Sequence, residues 1–298
     1  LLRAEPSPSG PIRHRSAFLR RLAFAGARYG PSWFVRYSPP LFGAAFALAL
    51  PDARKKVRDS LRRTLGPRSA GAEGLDVLRT FCGYAACLAE SLGAGRPEGR
   101  RARVDVKGGM HLRELLRTGR GAVLVTAHIG PWDVAAQLLA TGLGAKVAIV
   151  MEAEPDPAAR ALHDEVRRRS GVEVLAVGGS PLDALGILRH LRGGGMVAFQ
   201  IDRPAPSGRS LPATLFGSPF SVPEGPFRLA AVAGVPVLPL FSSRVGYFSY
   251  EVETGEPIVC AKPAVPAELE RAARATVERM ERFIQAHPTE WFHFGGGG

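Results

Sequence analysis

Five short apolar runs recur after residue 103, at 123–126, 146–151, 172–177, 196–201 and 235–241, and segments of helical period separate them at about 110–118, 132–141, 157–169, 182–192 and 224–233. Runs this short and this continuously apolar suit strands buried on both faces, and strands alternating with helices predict an α/β chain with a mostly parallel sheet flanked by helices. Residues 248–253 alternate as a later edge strand, and 267–286 form an amphipathic helix. The Gly- and Pro-rich stretches at 66–74 and 93–103 are loops that bracket a helix near 75–91. The expected organisation is a helical region over 1–100 and an α/β domain over 101–294.

The N-terminal region has a different character. Its longest apolar run, LFGAAFALAL at 41–50, has ten residues between Pro39-Pro40 and Pro51. That is half of the ~20 a membrane span needs. With the apolar, arginine-bearing stretch before it and with Trp33, Phe34 and Tyr37, residues 17–50 read either as an interfacial membrane-associating segment or as a helical lid on the core. Residues 52–63 (DARKKVRDSLRR) hold six basic and two acidic side chains around Val57, Leu61 and Leu65, as in a solvated helix face or a landing surface for anionic lipid.

Charge narrows the partners. Lys and Arg number 39 against 27 Asp and Glu, a net +12 over 298 residues. Nucleic acid, an anionic membrane and an acidic protein all fit that balance. The basic clusters lack interleaved aromatics, which argues against single-stranded nucleic acid, and no nucleic-acid partner is expected. Cys82, Cys87 and Cys260 show neither a CxxC nor a His pair at zinc spacing, so no metal and no structural disulfide are expected. No Gly-x-Ser-x-Gly elbow, P-loop or dinucleotide fingerprint occurs.

In open α/β sheets ligands bind beyond the carboxyl ends of the strands. The turn after residues 123–126 reads HIGPWD, from His128 to Asp133. On one helix these two would be rotated by about 140° and could not meet. Gly130 and Pro131 break that helix, so His128 belongs to the strand end and Asp133 to the first turn of the next helix, both facing one mouth. A carboxylate on one imidazole nitrogen fixes the tautomer and leaves the other as a general base. Asp202-Arg203 ends another apolar strand, and Arg203 offers a fork of donors to a phosphate or carboxylate, or a salt bridge to Asp202. Glu224 precedes a helix that it can cap, with Arg228 one turn later. The FGSPF run at 216–220 is an acyl-groove lining or a loop anchor.

These blocks resemble the glycerolipid and lysophospholipid acyltransferase superfamily, and more narrowly its lipid A biosynthesis branch. HIGPWD at 128–133 is similar to the first motif, GMVAFQIDR at 195–203 to the second, VPEGPFR at 222–228 to the third and GVPVLP at 234–239 to the fourth, while Trp291-Phe292-His293 is similar to the branch's Trp-rich tail. The resemblance implies an acyltransferase with His128 and Asp133 as catalytic residues, and Arg203, Glu224, Arg228, Asp202 and Gly130 around the substrate. It implies no cofactor beyond the cosubstrate, an acyl carrier protein or coenzyme A thioester. It also implies an anionic lipid acceptor and a location on the cytoplasmic face of the bacterial inner membrane. A non-catalytic lipid-binding protein of the same fold is the alternative.

Overall fold

The computed structural model describes residues 25–93, 102–152, 171–177, 182–203 and 208–294. The expected helix at 157–169, residues 17–24 and the arginines at 100, 101 and 167–169 lie outside these. Helices α1 (Ser32–Tyr37), α2 (Pro39–Ala49), α3 (Pro51–Leu65) and α4 (Ala70–Gly93) precede the sheet. There follow β1 (Arg103–Lys107), α5 (Met110–Arg117), β2 (Ala122–Thr126), α6 (Trp132–Leu143), β3 (Val147–Glu152), β4 (Glu173–Val177), α7 (Asp183–Arg192) and β5 (Met196–Gln200). A hairpin of β6 (Ser210–Leu215) and β7 (Ser218–Pro223) leads to α8 (Gly225–Ala233), β8 (Val237–Gly246), β9 (Ser249–Thr254) and α9 (Pro266–Ala286). A single 3-10 turn, Pro288–Glu290, starts the C-terminal tail.

The strands form one sheet in the order β1-β9-β8-β2-β5-β3-β4. The five from β8 to β4 are parallel, and β9 turns back antiparallel on β8 with β1 alongside it. β2 is buried at every position because sheet and helices enclose it on all sides. Side-chain alternation sends Val123 and Val125 to the face covered by α7, α8 and α9, and Ala122 and Leu124 to the face covered by α5 and α6.

Two elements escape the apolar patterning. β1 reads RVDVK and is largely exposed at the sheet edge, so one-sided pairing holds it without a buried face. The β6–β7 hairpin contains three prolines, Pro212, Pro219 and Pro223, and turns at the 216–220 run, with Phe216 at φ +50° and its backbone N–H donating to Glu281 of α9 at 2.8 Å. The run anchors a turn, and its Phe216 ring lies 5.8 Å from that of Trp291.

The N-terminal helices carry a small core of their own, with Ala47, Val57, Leu61, Val77 and Phe81 packed together. In α2 the buried residues are Pro39, Gly43 and Ala47, spaced by four. Gly43 sits against the backbone of Phe81 and Cys82, where a Cβ would collide. The large residues of the same helix, Leu41, Phe42, Phe46 and Leu48, point outward, with Leu48 78% exposed. Among the described residues, no helix is long and apolar enough to cross a membrane. α4 is tied to the sheet through the buried Glu90 carboxylate, which accepts Arg244 Nε at 2.9 Å and the Tyr250 hydroxyl at 2.6 Å.

Candidate active site

β2 and β5 are neighbours whose chains leave in opposite directions. From β2 the chain passes through α6 to β3, on the far side of β5, and from β5 it returns through α8 to β8, on the far side of β2. The two helices lie on opposite faces of the sheet. This divergence opens a crevice beyond the carboxyl ends of β2 and β5, the topological switch point where such sheets bind ligands.

The crevice holds a histidine and a carboxylate. Thr126 and Gln200 are register partners at the ends of the two strands, and the Ile201 N–H continues the ladder to the Thr126 carbonyl at 3.0 Å. Two residues further along each chain stand His128 and Asp202. Equal spacing from a register pair brings them side by side, and His128 Nδ1 lies 2.8 Å from Asp202 Oδ1. The second carboxylate oxygen accepts the Trp291 indole N–H at 3.0 Å. Burial of Asp202 opposes its ionisation. The hydrogen bond and charge of His128, the indole N–H and the Arg203 charge outweigh that, and hold its carboxyl below the usual range. An ionised carboxylate only accepts, so Nδ1 carries the proton and the Nε2 lone pair is left over. The His128 side chain is a quarter exposed while that of Asp202 is fully buried, so the imidazole is the accessible member of the pair.

The carboxylate on Nδ1 is therefore Asp202, where the sequence reading gave that position to Asp133. Asp133 stands in the first turn of α6, which begins at Trp132 with Pro131 as its N-cap. Gly130 is also reassigned. Its N–H donates to the Glu290 carbonyl at 2.9 Å and so is not a donor for substrate. Its φ of +55° and the Ser242 carbonyl pressed against its α-carbon explain the glycine.

Arg203 reaches the tail through Nη2 and the Phe292 carbonyl at 3.4 Å, and its Nε is buried without a hydrogen-bond partner. Thr126 Oγ1, Gln200 Nε2 and His293 Nδ1 are likewise buried and unpartnered. Thr126, Gln200 and Arg203 belong to the two strand ends that carry the pair, and His293 senses the charges of Asp202, Arg203 and His128. Orphaned polar atoms are scarce in folded proteins, and a group of them at a switch point marks a place that receives a polar ligand or solvent. Burial, foremost, keeps the His293 imidazole below its ordinary range, with the Arg203, Arg63 and His128 charges adding to it and Asp202 opposing.

Glu224 and Arg228 form an ion pair one turn apart at the start of α8, with Arg228 Nε 2.8 Å from the carboxylate. α8 runs antiparallel to the strand it precedes, so its start lies at the same carboxyl edge as His128. Among the described residues, no hydrogen bond joins this pair to His128 or Asp202, and no hydroxyl or thiol side chain is bonded to His128.

Trp291 was the residue whose role sequence reasoning missed. It appears there only as part of the tail, because a contact across 89 residues leaves no local pattern. Its signal lies in the fold: the tail bridges to the turn after β2 through the Ile129–Trp291 pair and the Phe292 N–H, which donates to the His128 carbonyl at 2.7 Å.

A mostly parallel open sheet whose switch point presents an accessible imidazole backed by a buried carboxylate defines an α/β protein with a polar site at the carboxyl edge of its sheet. The chain belongs to the bacterial lipid A biosynthesis acyltransferase family, whose model matches residues 33–295. It is similar to phosphatidylinositol mannoside acyltransferases of Mycobacterium tuberculosis strains CDC 1551 / Oshkosh and ATCC 25618 / H37Rv, with 28% identity over 191 residues, 62% of this chain. That match spans 57% of the length of those relatives. With the protein of the same description from Mycolicibacterium smegmatis (strain ATCC 700084 / mc(2)155) the identity is 26% over 278 residues, 88% of each chain.

Proposed function

We propose that this protein is a membrane-associated acyltransferase that moves a fatty acyl chain from a thioester donor to a hydroxyl or amine of a lipid acceptor. The observation that carries the reading is the His128–Asp202 pair at the switch point with the imidazole accessible. His128 Nε2 takes the proton of the acceptor hydroxyl or amine, whose oxygen or nitrogen then attacks the thioester carbonyl. The tetrahedral intermediate collapses with cleavage of the carbon–sulfur bond, and the leaving thiolate takes a proton from the imidazolium. Attack is direct and no acyl-enzyme forms. Asp202 holds the tautomer and faces the positive charge that appears on the ring. Arg203, with its orphaned Nε, serves the oxyanion or a phosphate of the acceptor. Arg228, half exposed at the same edge and steadied by Glu224, contacts the headgroup.

The names of the relatives favour an acceptor of the phosphatidylinositol mannoside kind, an anionic glycolipid suited to a chain of net charge +12. The thioester is carried by coenzyme A or acyl carrier protein, both cytosolic, which sets the reaction on the cytoplasmic face of the bacterial inner membrane. Membrane association is supported by α1 and α2. Trp33 is 66% exposed and Leu41 73%, and α2 buries Gly43 and Ala47 while exposing its large apolar residues. The basic helix α3 follows directly in the chain, and its Lys55 and Lys56 are exposed.

The test supplies an acyl-coenzyme A or acyl carrier protein thioester with a mixed lipid extract and follows thiol release and lipid mass. Wild type transfers the acyl chain, and His128→Ala loses about 10²–10⁴ in rate with its melting temperature kept. Equal turnover in the two proteins would overturn the reading, and lipid binding without any transfer would identify a non-catalytic lipid-binding protein.

A further inference from the structure

We propose that Trp291 is a positioning residue of the His128–Asp202 pair: its indole N–H holds the Asp202 carboxylate aimed at Nδ1. The proposal rests on His128 acting as the general base.

Asp202 has two oxygens and no access to water. One faces His128, so the other needs a donor from the protein, and the indole Nε1 fills that place at 3.0 Å. An indole is suited to this because it donates one hydrogen bond and neither titrates nor accepts. It can steady the anion without competing for the proton that His128 moves. Arg203 and His293 are the other charged or titratable side chains near the carboxylate; Arg203 acts on it by charge, His293 senses its charge, and neither is hydrogen-bonded to it among the described residues.

The indole is itself held on several sides. Its ring lies 4.9 Å from that of His293 and 5.8 Å from that of Phe216 at the hairpin turn. Its backbone is stitched to the turn after β2 on both flanks, by Gly130 N–H to the Glu290 carbonyl at 2.9 Å and Phe292 N–H to the His128 carbonyl at 2.7 Å. The two neighbours of Trp291 thus bond the segment bearing His128 through their main chains, while Trp291 bonds the segment bearing Asp202 through its side chain. The Trp291 segment therefore ties together the two chain segments that carry the pair.

The experiment replaces Trp291 by β-(3-benzothienyl)alanine, in which sulfur takes the place of the N–H in a ring of almost the same shape, with Trp291→Phe in parallel. Removing a donor from the anion raises the proton affinity of the pair. His128 titration, followed by NMR in the absence of substrates, should move upward by about one pH unit. The acid limb of kcat/KM should move with it, and its plateau should fall about tenfold or more, with the melting temperature of the sulfur analogue near wild type. An unmoved His128 titration in the analogue would reduce Trp291 to packing and overturn the proposal. If the titration moves while wild type and His128→Ala transfer acyl groups equally, the general-base reading fails and the role of Trp291 toward Asp202 stands. Should Trp291→Phe not fold, the analogue alone decides.

Discussion

The main-chain N–H of Phe292 donates to the carbonyl of His128 at 2.7 Å, so the last stretch of the described residues is hydrogen-bonded to the residue carrying the imidazole. The tail passes on to Tyr84 and Phe81 of α4, whose rings lie 5.3 Å from Phe292 and 5.2 Å from Phe294. The C-terminal tail thus links α4 to the segment that carries His128.

Asp202→Asn keeps the shape of the pair and removes the anion. The amide can donate to Nδ1, which turns the tautomer over and protonates Nε2. The expected loss in kcat/KM is about 10³–10⁴ with little change in melting temperature, measured by steady-state acyl transfer and thermal unfolding. A loss below tenfold would show that His128 does not depend on this carboxylate.

Gly130→Ala tests the turn. A Cβ there meets the Ser242 carbonyl, and φ of +55° already disfavours any other residue. Destabilisation of about 2–4 kcal/mol is expected in urea unfolding, together with reduced activity because His128 is two residues away.

Burial pushes the Glu290 carboxyl up to about 7, with the backbone N–H and charge of Arg244 pulling the other way. An acid raised in the folded state binds more protons there than in the unfolded chain. Its contribution to stability is fully present below the ordinary glutamate range and is lost as pH rises from there through about 7. Glu290→Gln should flatten that decline and leave the variant more stable than wild type at pH 8 by about 2 kcal/mol, read from urea melts across pH 4 to 8. A parallel decline in the variant would exclude Glu290 as its source.

Trp33→Ser with Leu41→Ser removes exposed apolar surface and should change stability by less than about 0.5 kcal/mol. Sedimentation with vesicles containing anionic lipid should nevertheless fall severalfold, and Lys55→Glu with Lys56→Glu should weaken it by about 1 kcal/mol per residue at low salt. Undiminished sedimentation in both double variants would move the membrane surface elsewhere on the protein.

Much of the fold was legible because burial on both faces leaves a local record. The runs at 123–126 and 196–201 became β2 and β5 almost to the residue, since a central parallel strand must be apolar throughout. The edge strand β1 and the proline-bearing hairpin were not legible, because neither needs an apolar stripe. His128, Asp202, Arg203 and Gly130 were all found in the sequence as marks at strand ends, and the glycine and proline that part His128 from Asp133 were visible there too. The sequence by itself determined which residue types stand at the carboxyl edge of the sheet. Only the tertiary structure decided that Asp202 rather than Asp133 faces Nδ1, and that Trp291 holds its other oxygen. Those contacts are set by which strands lie side by side and in what register, and a register between strands 74 residues apart is a property of the packed sheet that no local pattern encodes.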